Sequence, residues 1–416
     1  GEAAGRPPVS ALEGGVAHVG EQHRQQRRTL VVGESVDQGG EVAVDEQGPA
    51  PGDRVRANDR VMHRRVRRLH RAAADVLEDT RATLHDRKAC GLHDGMQFTY
   101  RNPERSTDPG RHLPEARSLV VGALSYLRDA EGTQLDQPAG RVARYVWEDH
   151  YRDLRGKLGV VADVLDEAGW RTRILVDDNA LVDREAAHRA GLGWYGKNAN
   201  LLLPGRGSWF VLGSILTDAP LPPATPLDDG CGTCTRCLTS CPTDAIVEPG
   251  TIDASRCLAW LVQAKGSFPP EFREALGDRI YGCDDCQEVC PPNRRQARQA
   301  VYLSSPARRP WVPLLDILEA DDDTLLDRYG VWYIPGREAR YLRRNALIAL
   351  GNSADGTDRA VHQAVAAALA SDDTIVRSHA VWAAKRLGLD DLLGAISDDP
   401  SAEVVAELVR DVSPAR

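Results

Sequence analysis

The sequence predicts an α+β protein in three consecutive parts: a mixed helix and strand region, a compact cysteine-rich region and an all-helical tail of repeats. Three observations carry this. Apolar runs of strand length flank one long helical pattern between residues 73 and 226; eight of the nine cysteines crowd into residues 231–290; and a nine-residue motif recurs 34 residues further on near the C-terminus. A chain of 416 residues has room for two to four domains.

Residues 1–72 are rich in Gly, Arg, Val, Glu and Gln, lack sustained apolar periodicity and end in a basic run from Arg60 to Arg71. Such composition predicts a poorly ordered segment. The chain opens on Gly, and Met62 and Met96 are candidate internal starts.

Over residues 73–226 the texture changes. Ser118 to Leu124 (SLVVGAL), Arg173 to Val176 (RILV) and Trp209 to Leu216 (WFVLGSIL) read as buried strands, and Leu154 to Ala168 has helical spacing closed by Gly169. Together they suggest an α/β or α+β domain, with an α/β-type fold expected for the first region. A Pro-rich linker, Pro220 to Pro226, then leads into the cysteine region, residues 227–300.

There, Cys231, Cys234, Cys237 and Cys241 precede Pro242, and Cys257, Cys283, Cys286 and Cys290 precede Pro291. This is a CxxCxxCxxxCP run and a stretched copy of it, the ferredoxin-like spacing that wraps two [4Fe-4S] clusters. Three thiolates two residues apart fold around one cube while the fourth, beside proline, serves the other cluster. The expected ligand sets are therefore Cys231, Cys234, Cys237 and Cys290 for one cluster and Cys241, Cys257, Cys283 and Cys286 for the second. Paired CxxC motifs also suit tetrahedral zinc; the spacing before each Cys-Pro argues against it. Cys90 stands alone and is assigned no role.

In the tail, residues 301–416, Leu342-Arg-Arg-Asn-Ala-Leu-Ile-Ala-Leu350 realigns on Val376-Arg-Ser-His-Ala-Val-Trp-Ala-Ala384, which points to stacked HEAT-like repeats. Residues 291–345 hold ten Arg against seven Asp or Glu, a local +3 in a chain of net charge -9. A generally basic nucleic-acid coat is excluded; a local patch is not. Arg294, Arg295, Arg298, Arg337, Arg340, Arg343 and Arg344 form the candidate stripe, against the plainer reading of solvated helix faces.

No run approaches the roughly 18 apolar residues of a membrane span, and no apolar signal-peptide core opens the chain. Nine cysteines gathered in this way do not resemble a secreted disulfide framework. A soluble cytoplasmic protein is expected.

Three stretches together resemble the epoxyqueuosine reductases, cobalamin-dependent iron-sulfur enzymes that complete queuosine in tRNA. They are Val176-Asp177 through Ala190-Gly-Leu-Gly-Trp-Tyr-Gly-Lys-Asn198, the eight cysteines, and Tyr341 through Asn352; Gly95-Met-Gln-Phe98, Arg105 and Asp108-Pro109 add to them. The resemblance implies a cobalamin-binding domain over residues 73–226 with Asp177, at a strand end, as proton donor. It also implies cobalamin contacts from Asp177, Lys197, Leu201, Ser208 and Leu212, and tRNA contacts from Arg343, Arg344 and Asn345. The partners so implied are tRNA carrying epoxyqueuosine at the wobble position and an unidentified electron donor, for a monomeric enzyme. Gly191, Gly193 and Gly196 suit either a tight turn or close approach to a bulky ligand. No Asp-x-His-x-x-Gly signature supplies a lower cobalt ligand, and His150 reads as a structural histidine. The competing readings are a corrinoid dehalogenase-like enzyme acting on a small molecule, a non-catalytic iron-sulfur electron carrier and a zinc-binding tRNA chaperone.

Overall fold

The structure, a computed structural model, describes residues 30–31, 70–128, 135–299 and 309–414. Most of the segment expected to be poorly ordered, residues 1–72, lies outside these. Its described parts, β1 (Leu30–Val31) and the start of β2 (His70–Ala73), are strands.

The first sheet is built on β3 (Ser118–Ser125), which pairs antiparallel along its whole length with β8 (Phe210–Thr217). β1 and β2 pair antiparallel with its other edge, and β5 (Thr172–Val176) lies antiparallel beyond β8. Every pairing in this sheet is antiparallel, which makes the domain α+β. The strands read as unbroken apolar runs because both faces are covered. On one face α2 (His150–Glu167), N-capped by Asp149, lays Leu154, Leu158, Ala162 and Leu165 against Val120, Leu124, Val176, Val211 and Ile215. On the other, α3 (Asp183–Arg189) packs Ala186 and Ala187 against Leu119, Val121, Leu175 and Leu216. α1 (Glu78–Ala89) precedes this layer, and a small hairpin of β6 (Trp194–Tyr195) and β7 (Leu201–Leu202) follows α3.

The cysteine region has one hairpin, β9 (Ile246–Glu248) with β10 (Thr251–Ile252), and short helices α4 (Arg236–Thr239), α5 (Leu258–Leu261), α6 (Pro270–Leu276), α7 (Asp285–Glu288) and α8 (Pro291–Gln299). Its strand β11 (Arg279–Tyr281) runs parallel to β4 (Ala139–Val142), whose other edge takes β12 (Trp311–Pro313) of the tail. One small sheet thus joins all three sequence regions. β4 belongs to it although it lies, in sequence, inside the first region.

The tail comprises α9 (Leu314–Glu319), α10 (Asp322–Tyr329), α11 (Arg340–Ser353), α12 (Arg359–Leu369), α13 (Thr374–Leu387) and α14 (Ala402–Val409). The 34-residue offset survives in burial: Leu342, Arg344, Asn345 and Ala346 are buried in α11, as are Val376, Ser378, His379 and Ala380 in α13. A single core runs from Leu258, Leu261, Phe268 and Ile280 of the cysteine region into Leu347, Val365, Val381 and Trp382 of the tail. Among the described residues no helix is long and apolar enough to cross a membrane.

Candidate active site

Folding brings Cys290 near the first three cysteines and Cys241 near Cys257 and Cys286. Burial pushes the Cys290 thiol up to about 11, and its thiol neighbours are Cys231, Cys237 and Cys234 of the first run. Cys237 is likewise raised by burial, with Cys231 and Cys234 adding to it. In the other group, Cys286 is raised by burial with Cys283, Cys257 and Cys241 nearby, and Cys257 by burial with Cys241 nearby. Backbone amides already point at the sulfurs: Ala245 N donates to Cys241 Sγ at 3.2 Å, and the amides of Ala259 and Trp260 hold the Cys257 thiol down against its burial. Such donors favour the thiolate form that binds iron. Among the described residues no three His, Cys, Asp or Glu side chains meet closely enough to hold a single metal ion.

Asp177 follows β5 directly, with φ 50, in the left-handed region that an L-residue adopts at a cost. Its loop is held by neighbours. Arg105 binds the Asn179 side chain, Ser106 Oγ donates to Asn179 O at 2.7 Å, and Asp178 accepts from Ala180 N at 2.9 Å. Arg155 of α2 anchors the strand end by donating to Val176 O at 2.7 Å. Asp178 is thus used in the turn, while the Asp177 carboxyl has no hydrogen bond or ion pair among the described residues. Asp177 is exposed, and its inner side borders protein. Desolvation raises its pKa above the ordinary aspartate range, with Arg155 opposing and Asp178 and Asp149 adding to the rise. Its charge reaches the hydroxyls of Tyr145, Tyr151 and Tyr281 and the carboxyl of Asp183, all of them raised first by burial.

Comparisons with known proteins agree with this geometry. The family described as "Epoxyqueuosine reductase QueG, DUF1730" matches residues 106–178, and the "4Fe-4S double cluster binding domain" matches residues 230–293. The epoxyqueuosine reductase of Bacillus cereus is 31% identical over 349 residues, which cover 82% of this chain and 91% of that protein. That of Vibrio cholerae is 36% identical over 273 residues, 63% of this chain and 73% of that one. A crystal structure of epoxyqueuosine reductase with a tRNA-Tyr epoxyqueuosine-modified tRNA stem loop superposes with a TM-score of 0.74 at 29% identity, covering 84% of this chain and 96% of that one. The chain belongs to the epoxyqueuosine reductase family.

Within this reductase the residues expected at the cobalamin are placed unevenly. Lys197 Nζ donates to Gly232 O at 2.7 Å, beside Cys231. Leu201 is buried in the core, and Leu212 packs against the same cluster. Ser208 is buried, its Oγ donating to Gln287 Oε1 at 2.9 Å and accepting from Asn293 Nδ2 at 2.9 Å. Any contact from Leu201 or Ser208 would run through the backbone. Gly191 makes a left-handed turn, and a Cβ on Gly193 or Gly196 would strike Leu202, so the close approach these glycines allow is to the protein's own β7. His150 is fully buried against Tyr126, as a structural histidine should be.

Of the residues expected at the tRNA, Arg344 and Asn345 are buried and Arg343 is partly exposed. Arg344 has no exposed surface and donates to the carbonyls of Leu261, Val262, Ala264 and Gly266 and to Asn345 Oδ1. Asn345, 1% exposed, donates to Val262 O and Ile280 O. Both clamp the tail to the segment that follows Cys257. Arg343 is held by Asp322 and Ala320 O, at 2.6 and 2.7 Å. Arg294, Arg295 and Arg298 of α8 are exposed.

Sequence reasoning did not find the network of Tyr126, Ser208, Gln287, Asn293 and Asp284, which links the first sheet to the cluster region. Nor did it find Asp183, whose Oδ1 is buried without a hydrogen-bond partner. Only its place six residues after Asp177 hinted at a role.

Proposed function

We propose that this epoxyqueuosine reductase, in the cytoplasm, converts the epoxide of epoxyqueuosine in tRNA to the alkene of queuosine, using two [4Fe-4S] clusters and a cobalamin with Asp177 as proton donor. The observation that supports it most is Asp177: an exposed carboxyl without hydrogen-bond partners among the described residues, at the end of the edge strand β5 and within electrostatic reach of Tyr281 in the double-cluster region. The reaction takes up two electrons and two protons, breaks both C–O bonds of the epoxide, forms the alkene and releases water.

Cys231, Cys234, Cys237 and Cys290 would hold one cluster and Cys241, Cys257, Cys283 and Cys286 the other, together supplying electrons one at a time. A cobalamin suits the first domain because Asp177 is presented there at the surface with its carboxyl lacking a hydrogen-bond partner among the described residues. Bound cobalamin would supply a redox centre able to pass electrons to the strained epoxide. Asp177, Lys197, Leu201, Ser208 and Leu212 are the residues we assign to it.

Asp177 acts as an acid because crowding by protein disfavours its anion, so it holds a proton at higher pH than a solvated aspartate. Arg155 prevents that shift from going so far that the proton is never released. The HEAT-like tail, residues 301–416, would support the tRNA beyond the reacting nucleoside, with exposed Arg294, Arg295 and Arg298 among the phosphate contacts. The test is anaerobic reconstitution with cobalamin and an artificial electron donor, followed by analysis of nucleosides from treated tRNA. Wild type should yield queuosine and Asp177→Asn should lose roughly 10²–10⁴-fold in rate; full turnover by the variant would remove Asp177 as donor.

A further inference from the structure

The loop from Gly330 to Arg337, between α10 and α11, alternates in an unusual way. Trp332 and Ile334 are buried at 5% and 6% exposure, while Val331 and Tyr333 stand out at 76% and 56%. An exposed tyrosine is unremarkable by itself; this one is held in place. Trp332 stacks on Tyr281 at 4.6 Å and 22°, and on Tyr329 at 4.7 Å. The Tyr281 hydroxyl grips the backbone of Tyr333 twice, accepting from its N–H at 2.8 Å and donating to its carbonyl at 3.3 Å. The loop therefore presents the Tyr333 ring from a backbone fixed by the core.

Two further observations say what that ring faces. Tyr281 lies within electrostatic reach of Tyr145, and the charge of Asp177 is felt at both, so the platform stands near the proposed reaction centre. Guanidinium groups hold this loop and the helix before it, with the Glu338 carboxylate beside Gly336. Exposed Arg337 folds back to Gly330 O at 3.5 Å, and Arg309 reaches Arg328 O at 3.3 Å. Among the described residues the carboxylate paired with this group is Asp316, 3.7 Å from Arg328. A fixed aromatic face amid guanidinium groups is the arrangement that binds unpaired RNA bases: a ring for the base, a cation for its phosphate.

We propose that Tyr333 is a stacking platform for an unpaired anticodon-loop base next to the reacting nucleoside, with Arg337 binding the adjoining phosphate. The proposal rests on the tRNA reading above. It makes Tyr333 a positioning residue, since a stacked neighbour fixes how far the modified base can reach towards Asp177.

The test compares wild type with Tyr333→Phe, Tyr333→Leu and Arg337→Gln, each checked for iron content and thermal unfolding. Binding is read by fluorescence anisotropy of an anticodon stem-loop carrying epoxyqueuosine, and KM and kcat from queuosine formation. Tyr333→Leu should weaken binding and raise KM by roughly 5- to 150-fold, the worth of one base stack, while Tyr333→Phe stays within about twofold because the ring is kept. Arg337→Gln should flatten the dependence of log affinity on log salt by about 0.7. Tyr333→Leu binding and turning over like wild type would overturn the platform while leaving the reductase reading intact. Loss of electron uptake from a protein donor with RNA binding unchanged would make the face a protein dock and also overturn it. A wild-type protein that forms no queuosine would overturn both.

Discussion

Arg344→Met separates the two roles open to the tail's best-matched motif. The guanidinium donates five hydrogen bonds inside the protein. Leu261 O keeps a second donor, Ala264 N, and Val262 O keeps Asn345 Nδ2. The carbonyls of Ala264 and Gly266 lose their donor, but both residues are half-exposed and water can reach them, so each costs about 1 kcal/mol. The cation also lies 5.2 Å from the Tyr341 ring and 5.8 Å from that of Phe268, stacking worth about 1 kcal/mol together. Burial already pushes the guanidinium down to about 9, so removing it relieves some strain while Met fills most of the space. Asn345 Oδ1, in a residue 1% exposed, loses its donor as well and costs about 1–3 kcal/mol, so the net expectation is a destabilisation of about 4 kcal/mol. Because the bonded carbonyls begin four residues after Cys257, iron per chain should fall as well. Anaerobic urea unfolding and iron analysis measure both. Unchanged stability and iron content, with a salt dependence of stem-loop binding flattened by about 0.7–0.9, would refute the clamp and restore Arg344 as a phosphate contact.

Other outcomes follow from single observations. Turnover should fall as pH rises through the raised pKa of Asp177, since only the protonated acid donates. The stabilising effect of that protonation is complete below the ordinary aspartate pKa and lost as pH rises through the raised value, so Asp177→Asn should be at least as stable as wild type at neutral pH; a less stable variant would contradict the crowding argument. Cys290→Ala should lose the cluster of the first run, shown by halved iron and altered electron paramagnetic resonance, whereas two intact clusters would rule out the crossed assignment. Glu407→Ala should cost roughly 3–5 kcal/mol, because it strands Arg273, 1% exposed and paired to Glu407 at 2.9 Å; thermal unfolding checks this.

The cysteine spacing was legible because cluster ligation is local chemistry, and folding needed only to bring Cys290 back to the first run. The buried strands were legible too: β3 and β8 are covered on both faces, with Ser214 a lone polar residue inside the apolar run of β8, and β5 closes on buried Leu175 and Val176 although Arg173 is exposed. β2 was hidden because His70 and Arg71 close a basic run, and what makes them strand residues is pairing with Val121 and Val120, some 50 positions away. The same holds for Arg344 and Asn345. Their carbonyl partners lie roughly 65 to 83 residues earlier, so a repeat position that ordinarily faces outward was turned inward by a segment that local pattern cannot reveal. Asp177 stood out by resemblance alone; its lack of partners becomes visible only when Asp178 is seen to take the turn's hydrogen bonds.

The buried polar residues of the tail change what the tail is for. In a repeat that only displayed arginines, Leu342 to Leu350 would pack against neighbouring helices and its polar positions would face water. Here Arg344 and Asn345 of α11 and His379 of α13 all spend their polar atoms on the backbone between Leu261 and Ile280, His379 accepting from Phe268 N at 3.1 Å. That backbone connects Cys257 to Cys283, the long spacer of the stretched cysteine run. A spacer of this length has little local reason to adopt one shape, and its two ends must nevertheless hold sulfurs at a fixed separation. The tail supplies that shape. Its α10–α11 loop is in turn held by Tyr281, two residues before Cys283, so the surface proposed to receive RNA and the cysteines proposed to hold the second cluster are fixed by one continuous piece of core.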